Sequence, residues 1–316
     1  MSQARLLALD WGTSSLRAYL LGEGGAVIET RQQPWGILHL PEGGFAAALK
    51  SVAGDWLDAM PGVPVIASGI VGSAQGWREA AYASCPADCR SLAARLLAFE
   101  AWPGVQLHIV PGVLTGGERP DVMRGEEAQL IGVLARQPVL AAKASLVMPG
   151  THCKWVQVAD GCIADFNTYM TGELFALLAQ HSILGRPARE AGGAAASDSA
   201  FERGVSAVRA HGAGATTLLF SARTLVLTGQ LAAADSLEYL SGLLVGEEIR
   251  CALRAWPDAD ADAGDAPRVL VGDAKLCERY RRALAMFGVQ SQAAADGAAP
   301  AGLWQIAMHA GLLRTA

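Results

Sequence analysis

Sixteen residues near the start, LLALDWGTSSLRAYLL (6–21), return in degenerate form as ASLVMPGTHCKWVQVA (144–159). In both, an apolar run breaks at a Gly-Thr pair and then resumes. An offset of 138 lays Gly12-Thr13 on Gly150-Thr151. Glycine turns at 24–25 and 160–161 lead each copy into a third run, AVIET and CIADFNT. Apolar runs separated by tight glycine turns read as β-meanders. Two meanders one domain apart predict a duplicated α/β architecture, with mixed sheets flanked by helices and a cleft between the halves. The expected domains are 1–140 and 141–316.

The intervening sequence fits that plan. Apolar residues recur at helical spacing over 45–60, where Phe45, Leu49, Val52, Trp56 and Leu57 share a face. PVIASGIVGS and QLHIVPGV read as buried strands, GGERPDVMRG as a loop and EEAQLIGVLAR as a helix. In the second half, helices are expected at 172–181, around Phe201, over YLSGLLVGEEIRCALRAW and at 301–313. Gly242 and Gly246 would let the third of these pack closely. RVLVGDAKL reads as strand, Gly-Asp turn and helix. REAGGAAASDSA and PDADADAGDAPR read as exposed loops, and the latter lacks the ligand spacing of a calcium loop.

The Gly-Thr breaks carry chemistry. Glycine lets backbone approach a phosphate, while neighbouring N–H groups and hydroxyls donate to its oxygens. Gly12, Thr13, Ser14 and Ser15 supply such a loop. Gly150, Thr151 and His152 supply a second, with Lys154 as a positive charge and Gly272 in a third glycine turn. His152 either meets a phosphate or caps its own loop. The copies differ at one position: Asp10 in the first aligns with Met148 in the second. A shared structural role would not leave the carboxylate in only one copy. A single carboxylate suits Mg²⁺, which is commonly held by one or two carboxylates together with substrate phosphates.

Composition narrows the partners. The 316-residue chain is 52% hydrophobic and only 17% charged, with a formal net charge of −5. It lacks the basic excess that a nucleic-acid or anionic-membrane surface would want. No run of about 18 uninterrupted apolar residues predicts a membrane span. Of six cysteines only Cys85 and Cys89 are close, with no second pair at zinc spacing. MSQARLLALDW has no basic segment followed by a long apolar run, so the expected location is cytoplasmic, with reduced thiols. The apolar composition permits a homodimer.

The paired Gly-Thr loops resemble the phosphate-binding elements of the sugar kinase/Hsp70/actin superfamily. Within it, DWGTSSLRAYL, SGIVGSAQGWREAAY, PDVMRGEEAQLIG, PGTHCKWV, FNTYMTGELFALLAQHSILG and YLSGLLVGEE resemble the 2-dehydro-3-deoxygalactonokinase family over nearly the whole chain. Cys153 stands where that pattern has serine, and Ile70 where it has methionine. The resemblance implies two ribonuclease-H-like domains, ATP with Mg²⁺, and phosphorylation of the 6-hydroxyl of 2-dehydro-3-deoxy-D-galactonate. The first domain would bind the sugar acid and the second the nucleotide.

Asp10 would then be both metal-side and catalytic, with Asp121 or Glu127 as the base. Glu127 aligns with a water-activating glutamate in the similar GxEEARLI segment of exopolyphosphatases. Acids in a first helical turn, such as Glu126 and Glu127, also simply favour the helix dipole. A 2-keto acid needs donors for its carboxylate and hydroxyls. Arg17, Gly72, Ser73, Gln75, Gly76, Trp77 and Arg124 are the candidates, guanidinium groups being suited to bidentate contact. Trp77 is as well explained by core packing. The competing expectations are an exopolyphosphatase-like hydrolase, supported by GEEAQLIG alone, and a non-enzymatic actin-like sensor.

Overall fold

A computed structural model describes residues 4–192, 197–212, 214–256 and 268–313. The acidic stretch 257–267 and residues 193–196 of the small-residue loop lie outside these. The chain forms two compact units, one of Met1–Lys143, Gln157–Phe166 and Ala294–Ala316, the other of Ala144–Val156 and Asn167–Ala293. Two segments of the expected second domain, 157–166 and 294–316, therefore fall in the first unit.

The first meander forms β1 (Leu6–Trp11), β2 (Leu16–Leu21) and β3 (Val27–Gln33). It is joined by β4 (Val65–Ser68), β6 (Leu97–Trp102) and β7 (Val105–Ile109). Their order is β3-β2-β1-β4-β7-β6. β1 pairs antiparallel with β2 and parallel with β4, and β4 runs parallel to β7. A central strand is covered on both faces, which is why Leu6–Leu9 is a continuous apolar run rather than an alternating one. Edge strand β3 is mostly exposed and carries Glu29 and Arg31, charges that discourage pairing with another edge.

Helix α1 (Gly44–Ala59) buries Ala48, Leu49, Val52, Ala53, Trp56 and Leu57, the stripe expected from its spacing. These residues join Leu7, Leu9, Trp11 and Ile109 in one core. A small sheet not anticipated from sequence contains β5 (Ala83–Ser84), β8 (Val113–Thr115) and β9 (Asp121–Met123). It turns part of the expected GGERPDVMRG loop into strand.

After it comes α3 (Glu126–Arg136), preceded in the chain by the short α2 (Cys89–Ala93). The closing helix of the chain (Ala298–His309) packs on α3, α2, β1 and β4. Helix meets helix through glycines: a Cβ on Gly302 would lie 1.7 Å from the Ala128 carbonyl oxygen, and one on Gly132 1.8 Å from that of Ala298.

The second meander gives β10 (Lys143–Met148), β11 (Cys153–Ala159) and β12 (Cys162–Tyr169). With β13 (Arg268–Leu270) and β14 (Ser291–Ala293), the order is β12-β11-β10-β13-β14. β10 is parallel to β13, and β13 to β14. Third, second, first, fourth is the order in which both sheets begin, the repetition that the paired sequences predict.

Helices α4 (Thr171–His181), α6 (Asp198–Ala210) and α9 (Ser236–Ala255) belong to this unit, with α5 (Arg186–Glu190), α7 (Ala215–Leu218) and α8 (Ser221–Leu227) between them. Gly242 of α9 lies against Phe201 and Gly204 of α6, as its place in the sequence suggested. The next helix, α10, spans Ala274–Met286, and the closing helix is α11.

Candidate active site

In the first unit the Gly-Thr loop joins the end of β1 to β2. The Gly12 N–H donates to Ser15 O (3.0 Å), closing the turn and leaving Thr13 and Ser14 exposed. The segment Trp35–Leu38, not among the expected site residues, braces it. Trp11 Nε1 donates to Trp35 O, Ile37 N to Gly12 O and Leu38 N to Thr13 O. The only sequence signal was a Pro-Trp-Gly break after β3.

Asp10 is paired across the sheet with Arg17 on β2 and lies beside Ser68 on β4. Burial pushes its carboxyl pKa up, with Arg17 opposing the shift. Arg17 itself is exposed, and its Nε donates to Gln32 (3.1 Å).

Two further motifs converge on the same strand ends. Gly69, with φ +104°, follows β4 and crosses the end of β1 so closely that a Cβ there would lie 2.5 Å from Trp11 O. Gly125, with φ +109°, lies in turn on Gly69, its Cβ position 3.1 Å from the Gly69 Cα. Both conformations belong to the region that L side chains rarely adopt. DWGTS, SGIVGS and RGEE therefore meet backbone to backbone.

Glu126 accepts from Arg124 N (3.1 Å), and Glu127 Oε2 accepts from Gly125 N (2.6 Å). Glu127 is fully buried, and its Oε1 has no partner among the described residues. Burial, with Glu126 adding repulsion, raises its pKa to about 8. Asp121 is half-buried at the start of β9, with its Oδ1 accepting from Val122 N (2.7 Å).

The expected substrate loop wraps the same region. Ser73 N donates to Ile70 O, Gly76 N to Ser73 O and Trp77 N to Val71 O. Arg124 is buried, donates from Nη2 to Ala80 O (2.8 Å) and stacks 4.4 Å over Tyr82. Its Nη1 lies 3.0 Å from where a Cβ on Gly72 would be. Ser73 Oγ and Arg124 Nε and Nη1 are buried without partners among the described residues. Gln75 is exposed. The Trp77 ring packs with Trp11, Phe45 and Phe99, an aromatic cluster of the core rather than an open wall.

In the second unit the Gly-Thr loop joins β10 to β11 and is held by the start of α4. Glu173 N donates to Thr151 O (3.0 Å), and the Glu173 carboxylate meets His152 Nε2. Lys154 is buried, and its Nζ donates to Thr168 (2.7 Å). Gly272, with φ +139°, places its Cβ position 3.6 Å from Pro149 O. It precedes Asp273, whose side chain caps α10 through Leu276 N (3.0 Å). Gly150, Thr151, His152 and Gly272 thus gather at the ends of β10 and β13. Among the described residues no cluster of three or more metal-ligating side chains occurs, and no helix is long and apolar enough to cross a membrane.

A family model described as 2-keto-3-deoxy-galactonokinase matches residues 10–306. The 2-dehydro-3-deoxygalactonokinase of Escherichia coli (strain K12) is 38% identical over 308 residues, covering 96% of this chain and 98% of that protein. A Rhizobium meliloti (strain 1021) protein inferred to have the same activity is 42% identical over 301 residues, covering 94% of each. The crystal structure of a protein inferred to be a 2-dehydro-3-deoxygalactonokinase, from Sinorhizobium meliloti, superposes with a TM-score of 0.83 at 39% identity. It covers 96% of this chain and 98% of that one.

Proposed function

The chain belongs to the 2-keto-3-deoxy-galactonokinase family, and from that premise we propose that it transfers the γ-phosphoryl group of ATP to the 6-hydroxyl of 2-dehydro-3-deoxy-D-galactonate. The supporting observation within the fold is the convergence of the Asp10, Gly69 and Gly125–Glu127 segments at one end of β1. The first unit takes the sugar acid, and the second takes the nucleotide on the Gly150–Lys154 loop and the Gly272 turn. Polyphosphate hydrolysis and a sensor role have no support among the relatives.

Phosphoryl transfer asks little covalent chemistry of a protein; positioning and charge neutralisation supply most of the rate. The N–H groups of the two Gly-Thr loops donate to phosphate oxygens, and Lys154 adds positive charge beside the second loop. Asp10 fits a magnesium site: it is a lone carboxylate at a strand end, and burial disfavours its charged form in the absence of a cation. Bound Mg²⁺ would neutralise charge on the transferring phosphoryl oxygens.

Of the two base candidates, Glu127 is favoured. Its Oε1 lacks a partner among the described residues, and a base whose pKa lies near the working pH balances ionisation against basicity. Arg124 fixes the 72–80 loop through Ala80. Its remaining nitrogens and Ser73 Oγ are the donors at which the substrate carboxylate docks.

A coupled ADP-release assay over a panel of 2-keto-3-deoxy sugar acids tests the assignment, with the phosphorylated carbon located by NMR. Turnover highest with 2-dehydro-3-deoxy-D-galactonate and phosphate on C6 is the expected result. No turnover above basal ATP hydrolysis with any member of the panel would overturn it.

A further inference from the structure

YLSGLLVGEE contains two adjacent glutamates with opposite fates on α9. Glu247 forms an ion pair with Arg250 on the same helix. Glu248 turns inward, is 3% exposed and lies among side chains from three other parts of the second unit. Its Oε1 accepts from Trp155 Nε1 and its Oε2 from Tyr280 OH, each at 2.7 Å. Burial pushes its pKa up, and the neighbouring Cys153, Thr171, Trp155 and Tyr280 side chains oppose the shift. A buried carboxylate on this scale is hard to justify as mere stability, because apolar residues of similar volume are often as stabilising.

These four neighbours are not scattered. Cys153 directly follows the Gly150–Thr151–His152 loop, and Trp155 is two residues further along β11. Thr171 opens α4, whose next two residues hold that loop from the other side: Gly172 lies against Gly150 O and Thr151, and Glu173 N donates to Thr151 O. Tyr280 is on α10, the helix that begins directly after the Gly272-Asp273 turn.

We propose that Glu248 is a positioning residue for the nucleotide loop, tying both flanks of Gly150–His152 and the helix after Gly272 to one buried anchor. This rests on the reading that Gly150–Lys154 binds ATP phosphates. Glu248 touches no substrate; it acts by fixing the loop's two ends.

Steady-state kinetics with each substrate varied separately test the proposal. Glu248→Gln replaces one acceptor by an NH₂ group facing donors, and should raise the KM for ATP about tenfold. The KM for the sugar acid should stay within about twofold, since a general loss of stability would not single out one substrate. Thr171→Val should raise the ATP KM in the same direction, and Thr171→Ser, which keeps the hydroxyl, should restore it. That pair decides the matter if Glu248→Gln does not fold.

Lys154→Met separates the two readings. If it raises the ATP KM while the Glu248 and Thr171 variants do not, the loop reading stands and the anchoring role is overturned. If none of them affects ATP, the nucleotide reading of the loop fails and the anchoring role fails with it. Equal rises in both KM values for the Glu248 and Thr171 variants would also overturn it.

Discussion

Gly36 lies on the Thr13–Ser14 peptide so closely that a Cβ would sit 2.1 Å from the Thr13 carbonyl oxygen. Any side chain at 36 must push the first Gly-Thr loop away from β1. Over-packing of this kind costs about 1–3 kcal/mol, and here the strain falls on backbone proposed to meet phosphate. Gly36→Ala should lower kcat/KM about tenfold or more with little change in far-UV circular dichroism, measured by the coupled ADP assay.

Asp10→Asn keeps the shape of the strand end but removes its charge. Turnover should fall about a thousandfold or more. The melting temperature should hold or rise, because a carboxylate whose pKa is raised mainly by burial is less stable ionised in the fold than in the unfolded chain. Normal kcat with normal Mg²⁺ dependence would remove Asp10 from the metal site.

Glu127 links activity and stability to pH in opposite directions. As the base it must be ionised, so kcat/KM should climb with pH and level off above about 8. Its folded pKa lies above the ordinary glutamate value of 4.5. The folded form thus holds a proton that the unfolded chain releases, and stability is lost as pH rises from about 4.5 through 8. The slope approaches about 1.4 kcal/mol per pH unit. Glu127→Gln should flatten that dependence in urea titrations at pH 6 and 8, and cut kcat about a hundredfold or more. If Asp121→Asn causes the larger kinetic loss and Glu127→Gln leaves the pH limb in place, the base is Asp121.

Arg124→Lys retains a charge but loses the fork that reaches Ala80 O while stacked on Tyr82. The KM for the sugar acid should rise about tenfold with the ATP KM unchanged. Equal effects on both substrates would reduce Arg124 to a structural role.

The duplicated sheets were readable from sequence because a meander leaves a local trace: apolar runs, a Gly-Thr break and a glycine turn at matched spacing. Helices α1, α3, α4 and α9 were readable from periodicity alone. The small sheet of β5, β8 and β9 was not, since strands of two or three residues carry no period to detect. Glu248 is marked in the sequence only by its place in YLSGLLVGEE. Nothing local distinguishes it from Glu247, and its inward turn depends on Trp155, Thr171 and Tyr280, all far away in the chain. The same holds for Gly36 and Trp77, whose neighbours are set by tertiary packing.

The backbone contact of Gly302 on Ala128 has a consequence for biosynthesis. Helix α11 covers α3, β1 and β4, so the first unit lacks a wall until residues 298–309 have been made. The second unit, by contrast, closes with residue 293. On the ribosome, the half that begins first should therefore be the half that finishes last, its sheet waiting while the inserted unit matures. A released chain ending at 293 should accordingly show a protease-resistant core drawn from 144–156 and 167–293 and a digestible region before 143.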